Sequence, residues 1–266
     1  RRRHTRCSRD WSSDVCSSDL TKSMLRQLVT SAAYRQSVRV TPAALDGDPE
    51  NRLLSRGPRF RLAAETVRDQ ALGVSGLLSA KMFGPSGRPY QPSSGLKAAF
   101  GSTLDWQASE GEDRLRRGVY TEWRRSSPYP SMATFDAPNR EVCTLRRGRT
   151  NTPLQALVTL NDPVYVEAAQ ALAKGTLATP GTDVERMQSA FRRVLIRPAR
   201  ADELASLAEL LARSRAGYRT APDQAATFGG LKLAKAEPVP PEASELAAWT
   251  AVANVLLNLD ETLMKR

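Results

Sequence analysis

One stretch restricts what this chain can fold into more than any other: residues 149–173, RTNTPLQALVTLNDPVYVEAAQALA. It holds two helix starts of one construction, Thr152 before Pro153 and Asp162 before Pro163. A hydroxyl or carboxylate just ahead of a helix accepts from an unpaired first-turn amide. Proline at the first helical position lacks only an N–H that would have no partner there. Gln155, three residues after Thr152, completes the pattern of a capping box. The residue before a proline is pushed out of the α region, so Asp162 must interrupt the first helix. The spacing predicts a bent helical pair lined by Leu154, Leu157, Val158, Val164, Val166 and Leu172.

The rest of the chain reads as further helices. Residues 21–36 place Leu25, Leu28, Val29 and Ala32 on one face, and 51–56 form a short helical stretch. Residues 60–79 keep three-four spacing through Phe60, Ala63, Val67, Ala71, Val74 and Leu78. Thr182 and Glu185 form a second capping box, opening a helix that buries Val184, Met187, Phe191, Val194 and Leu195 and ends at Pro198. Residues 202–215 face inward through Leu204, Leu207, Ala208 and Leu211. Residues 242–264 do so through Leu246, Trp249, Val252, Ala253, Leu256, Leu259 and Leu263. Residues 84–95 and 219–241 read as loops, and three prolines exclude regular structure over 126–139. Val119, Thr121 and Trp123 alternate with Tyr120, Glu122 and Arg124, a strand period. The expected fold class is mainly α: a helical domain with long Pro/Gly-rich loops and at most a small β-hairpin near residues 104–123. No apolar run reaches the roughly 18 residues needed to span a bilayer.

Residues 1–20, RRRHTRCSRDWSSDVCSSDL, do not belong with the rest. They lack periodicity, repeat the Ser-Ser-Asp triplet and resemble translated sequencing-adapter DNA. They are expected to be disordered, leaving one helical domain over 21–266. Cys7, Cys16 and the single histidine, His4, leave with them, so Cys143 stands without a disulfide partner. No Ser-His-Asp triad, Cys-His pair or His-based zinc site can then be built. There is no C-x-x-C-H for haem, no G-x-G-x-x-G and no phosphate-binding P-loop. No metal, haem or other cofactor is expected in this chain, and no catalytic residue can be named. Cys143 lies near Arg140, Arg146 and Arg147 but has no base, and reads as a small core residue or inert thiol.

The net charge is +11, but 32 Arg stand against 7 Lys, spread along the chain as GC-rich codons produce. Specific nucleic-acid binding is not expected. The densest polar and aromatic segment gathers Arg117, Tyr120, Trp123, Arg124, Tyr129, Phe135, Asp136, Asn139, Arg140, Arg149, Asn151 and Asp162. Guanidinium forks grip carboxylate or sulfate, and aromatic faces stack on sugar rings, so these are candidate ligands for an anionic polysaccharide. The same residues also fit an internal role, with arginines on loop carbonyls and helix C-termini, aromatics as anchors, and Asp136 and Asp162 as turn and cap. A polysaccharide hydrolase would need a carboxylate pair, Asp136 with Glu141 or Asp162, at a distance that sequence does not supply.

Four phrases together carry a family likeness: RQLVTSAAYRQS (26–37), RLAAETVRDQALGVSGLL (61–78), residues 116–173 with TFDAPNRE and RTNTPLQALVTLNDP, and AWTAVANVLLNLDETLMKR (248–266). They resemble the C-terminal domain of planctomycete cytochrome c-associated secreted proteins, the domain of unknown function 1553 or planctomycete D domain. The resemblance covers 21–266 and implies a setting but no reaction. On that likeness the chain, which opens without Met, is a C-terminal fragment whose partners are the N-terminal domains of the full-length protein. Any haem c belongs to a cytochrome-like domain upstream. The likeness further implies an extracytoplasmic protein, at the periplasm or cell surface, of bacteria rich in sulfatases and glycan-degrading systems.

Overall fold

Prolines and the residues before them set where most helices begin. The computed structural model describes residues 18–91, 106–125, 128–234 and 237–265, and among these ten α-helices form. The chain packs as two compact units, Arg1–Phe60 with Arg266, and Arg61–Lys265, where the sequence reading drew one domain from residue 21. Residues 1–17 of the adapter-like stretch lie outside the described residues.

In the first unit, α1 (Ser18–Thr30) starts inside the stretch expected to be disordered and ends six residues before the expected boundary. Its apolar row faces outward: Leu20, Met24, Leu25, Leu28 and Val29 are all exposed. The short α2 (Pro42–Gly47) is capped by Thr41, whose hydroxyl accepts from the Ala44 amide at 3.2 Å. The expected helix at 51–56 is not formed. The Asp48 carboxylate instead accepts from the Arg52 and Leu53 amides at 2.7 and 2.9 Å, folding the segment into turns. Arg56 then donates to the carbonyls of Asp48 and Pro49.

The second unit has an entirely helical core. Among the described residues the β structure is a two-stranded sheet, β1 (Phe60–Arg61) and β2 (Met264–Lys265), beside which the Leu62 amide donates to the Leu263 carbonyl. The helix α3 (Ala64–Ser75) is shorter than the periodicity suggests, because Gly76 takes a left-handed φ of 81° and stops it. The five-residue α4 (Pro130–Thr134) sits where three prolines excluded regular structure. Then come α5 (Pro153–Asn161), α6 (Pro163–Leu177), α7 (Asp183–Leu195) and α8 (Ala201–Thr220). The helix α9 (Pro222–Phe228) occupies the expected linker, and α10 (Glu242–Asn258) completes the set. α10 is the hub: it packs most extensively on α6 and α8, and α3 packs on α6. Trp249, Val252, Ala253 and Leu256 of α10 are buried, with Met187, Phe191 and Val194 of α7 and Leu207 and Leu211 of α8. No helix of the described residues is long and apolar enough to cross a membrane.

The bend at Asp162 is present, and so is its cap: the carboxylate accepts from the Val164 amide at 3.0 Å. The Thr182–Glu185 capping box also forms as expected. The box at Thr152 does not, because Gln155 turns inward to tertiary acceptors. The phase of α5 is therefore rotated from the apolar reading: Val158 packs against the core as expected, but Leu154 and Leu157 do not. Gln155 and Thr159 face inward at 1% exposure each, while Leu154 and Leu157 are 56% exposed. Val184 of α7 is likewise exposed, and α7 ends at Ile196, in a left-handed conformation at φ 61°, before Pro198 is reached. The expected strand at 119–123 is a 3-10 turn, Gly118–Tyr120, followed by an isolated parallel bridge from Thr121 to Gly87. Residues 104–105 of the expected hairpin lie outside the described residues. Gly118 permits the close approach there: a methyl group on it would sit 2.9 Å from the Glu65 Cα.

Two outcomes test these contacts. Burial pushes the Asp162 carboxyl above its usual range, against the pull of the Val164 amide and of Arg68. Asp162→Ala should lower stability by about 1 kcal/mol through loss of the cap. Asp162→Asn, which keeps the acceptor and removes the buried charge, should stay within about 0.5 kcal/mol of the parent in denaturant midpoints. The Arg197 guanidinium bridges Glu203 and Glu261 and holds the Glu203 carboxyl down at about 2. The folded value lies below the unfolded one, so this pair stabilises fully above pH 4.5 and is lost between pH 4.5 and about 2. Glu203→Gln should flatten the decline of urea midpoints over that window.

Candidate functional site

The site grows from the turn that follows α4. Asp136 leaves that helix with φ 59°, a left-handed conformation that Asp tolerates better than most residues. Its carboxylate reaches fourteen residues forward and accepts from the Thr150 amide at 2.6 Å, while the Thr150 hydroxyl donates to it at 2.9–3.0 Å. The clamp draws the intervening chain into a strap, exposed throughout residues 139–150. Arg147 makes the second tie, donating from Nη1 to both carboxylate oxygens of Glu65 at 2.8 and 3.0 Å. Gln155, in the first turn of α5, donates from Nε2 to the Thr134 carbonyl at 3.0 Å and to the Thr150 hydroxyl at 3.1 Å. A carbonyl can only accept, so this contact fixes which way the amide points.

Beneath the strap is a cleft of about 350 Å³. Its polar lining comes from Arg61, Arg147, Arg149, Asp136, Thr150 and Gln155. Ala63 and Ala64 also line it, so the N-terminus of α3 opens there, and Ala63 offers no side-chain cap. A helix N-terminus carries partial positive charge, which adds to that of the guanidiniums. Arg61 is paired with Asp260 at 3.0 Å, and Arg147 with Glu65 as above. Gln155 Oε1 is buried without a hydrogen-bond partner. An amide oxygen in that position calls for a hydroxyl or N–H donor.

Of the twelve residues singled out from sequence, Phe135, Asp136 and Arg149 line this cleft. Arg117 and Tyr120 border a second, smaller cavity; Arg117 pairs with Asp69 at 3.3 Å, and the Tyr120 hydroxyl accepts from the Phe83 amide at 3.0 Å. Trp123, Asn139 and Arg140 form a group of their own. The Arg140 guanidinium lies 5.6 Å from the Trp123 ring centre, and the indole N–H donates to the Asn139 carbonyl at 3.3 Å. Arg124 stands over Trp106 at 5.1 Å and pairs with Glu122 at 3.0 Å. Tyr129 is buried at 1% exposure, and burial pushes its phenol far above the usual range. Asp162 caps α6, and Asn151 is exposed.

Of the three carboxylates weighed as a hydrolytic pair, only Asp136 lines the cleft. Asp162 is engaged at a helix start and Glu141 by Asn139 at 3.0 Å. Cys143, read as a core residue or inert thiol, is exposed on the strap, which packs against too little chain to bury it. Among the described residues no group of three or more His, Cys, Asp or Glu is placed to hold a metal ion. Arg61, Arg147, Thr150 and Gln155 complete the polar lining without having been picked out, and Glu65 holds Arg147 in place. The one local signal was Gln155, whose spacing from Thr152 imitates a cap.

A sequence model of the family described as "PSD1: Protein of unknown function (DUF1553)" matches residues 16–211. No curated protein and no solved structure matches the chain.

The clamp has a measurable consequence. Thr150→Val removes the hydroxyl shared by Asp136 and Gln155, at a cost of about 1–2 kcal/mol to local order. Native-state cleavage by trypsin after Arg146, Arg147 or Arg149 should then run roughly tenfold faster. An unchanged cleavage rate would show that the hydroxyl does not hold the strap.

Proposed function

The chain belongs to the PSD1 family, Protein of unknown function (DUF1553), and from that premise we propose that its second unit is an accessory module that binds an acidic glycan under the 137–149 strap. The observation that carries the reading is a cleft edged by three guanidiniums whose lining includes the Gln155 amide, its Oε1 buried without a partner. A ligand suited to both features brings negative charge and a donor hydroxyl on one small framework, as a uronic acid residue does. Arg149 is the residue assigned to the carboxylate and Gln155 to the hydroxyl. Phe135 supplies an apolar wall. The reading is of binding rather than hydrolysis because the one lining carboxylate, Asp136, is already engaged by Thr150. The same proposal sets the domain outside the cytoplasm, beside further domains of a longer exported protein.

Calorimetric titration of the full chain with oligogalacturonate, against a neutral glucan, tests it. Binding of the acidic oligomer should weaken as salt rises, and Arg149→Ala should cost about tenfold in affinity. Equal affinity for the neutral glucan, or an unaffected Arg149→Ala variant, would end the proposal.

A further inference from the structure

The strap is exposed at every position from 139 to 150 and holds no helix or strand. Leu145 is fully open and Val142 is 72% exposed. Among the described residues, no hydrogen bond from backbone to backbone ties down residues 138–148. A protease needs chain that can lie extended in its groove, and exposed loop tips are where folded proteins are nicked. Within the strap Arg146 and Arg147 stand side by side ahead of Gly148. A methyl group built on Gly148 would meet nothing within 4 Å, so the far side of the Arg147–Gly148 bond is clear. Arg147 pairs with Glu65, with side chains 44% and 26% exposed. So open a pair is worth about 0–1 kcal/mol, a weak obstacle to an acidic pocket that takes the guanidinium instead. The other adjacent basic pairs among the described residues are less accessible. Arg116, beside Arg117, is 2% exposed, and Arg192–Arg193 lies inside α7. Arg124, beside Arg125, is stacked on Trp106 and paired with Glu122.

A cut there leaves the core whole. Tyr129 and Phe135 precede the strap, Trp249 and Leu256 follow it, and all four belong to one buried apolar cluster. The ion pairs Arg61–Asp260 and Arg114–Glu167 also join the two sides. Each end of the strap is anchored. The Trp123 indole donates to the Asn139 carbonyl before the bond, and the Asp136 carboxylate accepts from the Thr150 amide after it. Arg147 and Gly148 both line the cleft, so the bond between them sits on its rim.

We propose that the Arg147–Gly148 bond is a processing site, hydrolysed by an endoprotease with two adjacent acidic pockets that take Arg146 and Arg147. Water adds across the amide, leaving a carboxylate on Arg147 and an ammonium on Gly148. The product is a two-chain protein, residues 1–147 and 148–266, held together by the shared core. This assignment does not depend on what the cleft binds.

Incubation of the full chain with a subtilisin-like endoprotease of dibasic specificity, followed by intact mass and gel filtration, reads the site. The first cut beyond residue 3 should fall after Arg147. The two fragments should elute together at the parent's volume and keep its near-ultraviolet circular dichroism. The Tm of the cut protein should rise with protein concentration, because unfolding now releases two chains. Arg146→Ala, at an exposed position, should slow the cut roughly tenfold by removing one of the two recognised charges. A first cut at another basic pair, fragments that separate or lose their fold, or an Arg146→Ala chain cut at the parent's rate would each overturn the assignment.

Discussion

Irregular chain packed against helices leaves carbonyl oxygens without amide partners, and an unpaired buried carbonyl costs about as much as a lost hydrogen bond. In this protein side-chain donors, chiefly guanidiniums, make up the deficit. Arg68 serves the carbonyls of Arg114 and Arg116, and Arg116 those of Phe83 and Pro85. Arg186 and Arg193 do the same for Thr179 and Val74, where α6 and α3 approach their ends. Gln155, Gln170 and Asn254 supply amide donors to Thr134, Phe228 and Leu160. An arginine has five donors in a rigid fork, so one side chain can hold two strands of loop at once. Arg68 and Arg116 are drawn inside by this role, at 3% and 2% exposure.

This explains which features could be read from sequence. The cap at Asp162, the box at Thr182–Glu185 and the inward row of α10 all depend on residues within a few positions of one another, and all three are present. The phase of α5 depends on what waits outside the helix. Thr159 pairs with Asn258, and Gln155 with Thr134, so a polar stripe goes in and the leucines go out. The five-residue α4 and seven-residue α9 begin with proline just as α5 does, but sit in stretches so rich in turn residues that the signal is hidden. The loop aromatics had a simple anchoring role open to them. Tyr129 and Phe135 take it, with relative exposures of 1% and 6%.

The cleft shows the same division between local and distant information. Asp136 and Arg149 stand out in sequence because the segment around them is polar, aromatic and rich in arginine. Arg147 gains its meaning from Glu65, 82 residues earlier, and Arg61 from Asp260, 199 residues later. No pattern of spacing connects such pairs. The two cavities also use guanidiniums differently. Around the smaller one Arg68 and Arg116 are buried and committed to backbone, while Arg114 and Arg117 pair with Glu167 and Asp69. Around the larger one Arg61 is tied to the carboxylate of Asp260 and Arg147 to that of Glu65.

The wall of the cleft formed by Arg61 and Leu62 is anchored on Asp260 and on the Leu263 carbonyl. Those anchors are made about two hundred residues after the wall itself. During synthesis the strap, its clamp and α3 are therefore all outside the ribosome while one side of the cleft still has nothing to lean on. Closing so long a span costs little more entropy than closing one half its length, since the penalty grows only logarithmically. The cost falls on time instead, since contacts that close long spans of chain are the slow ones to form.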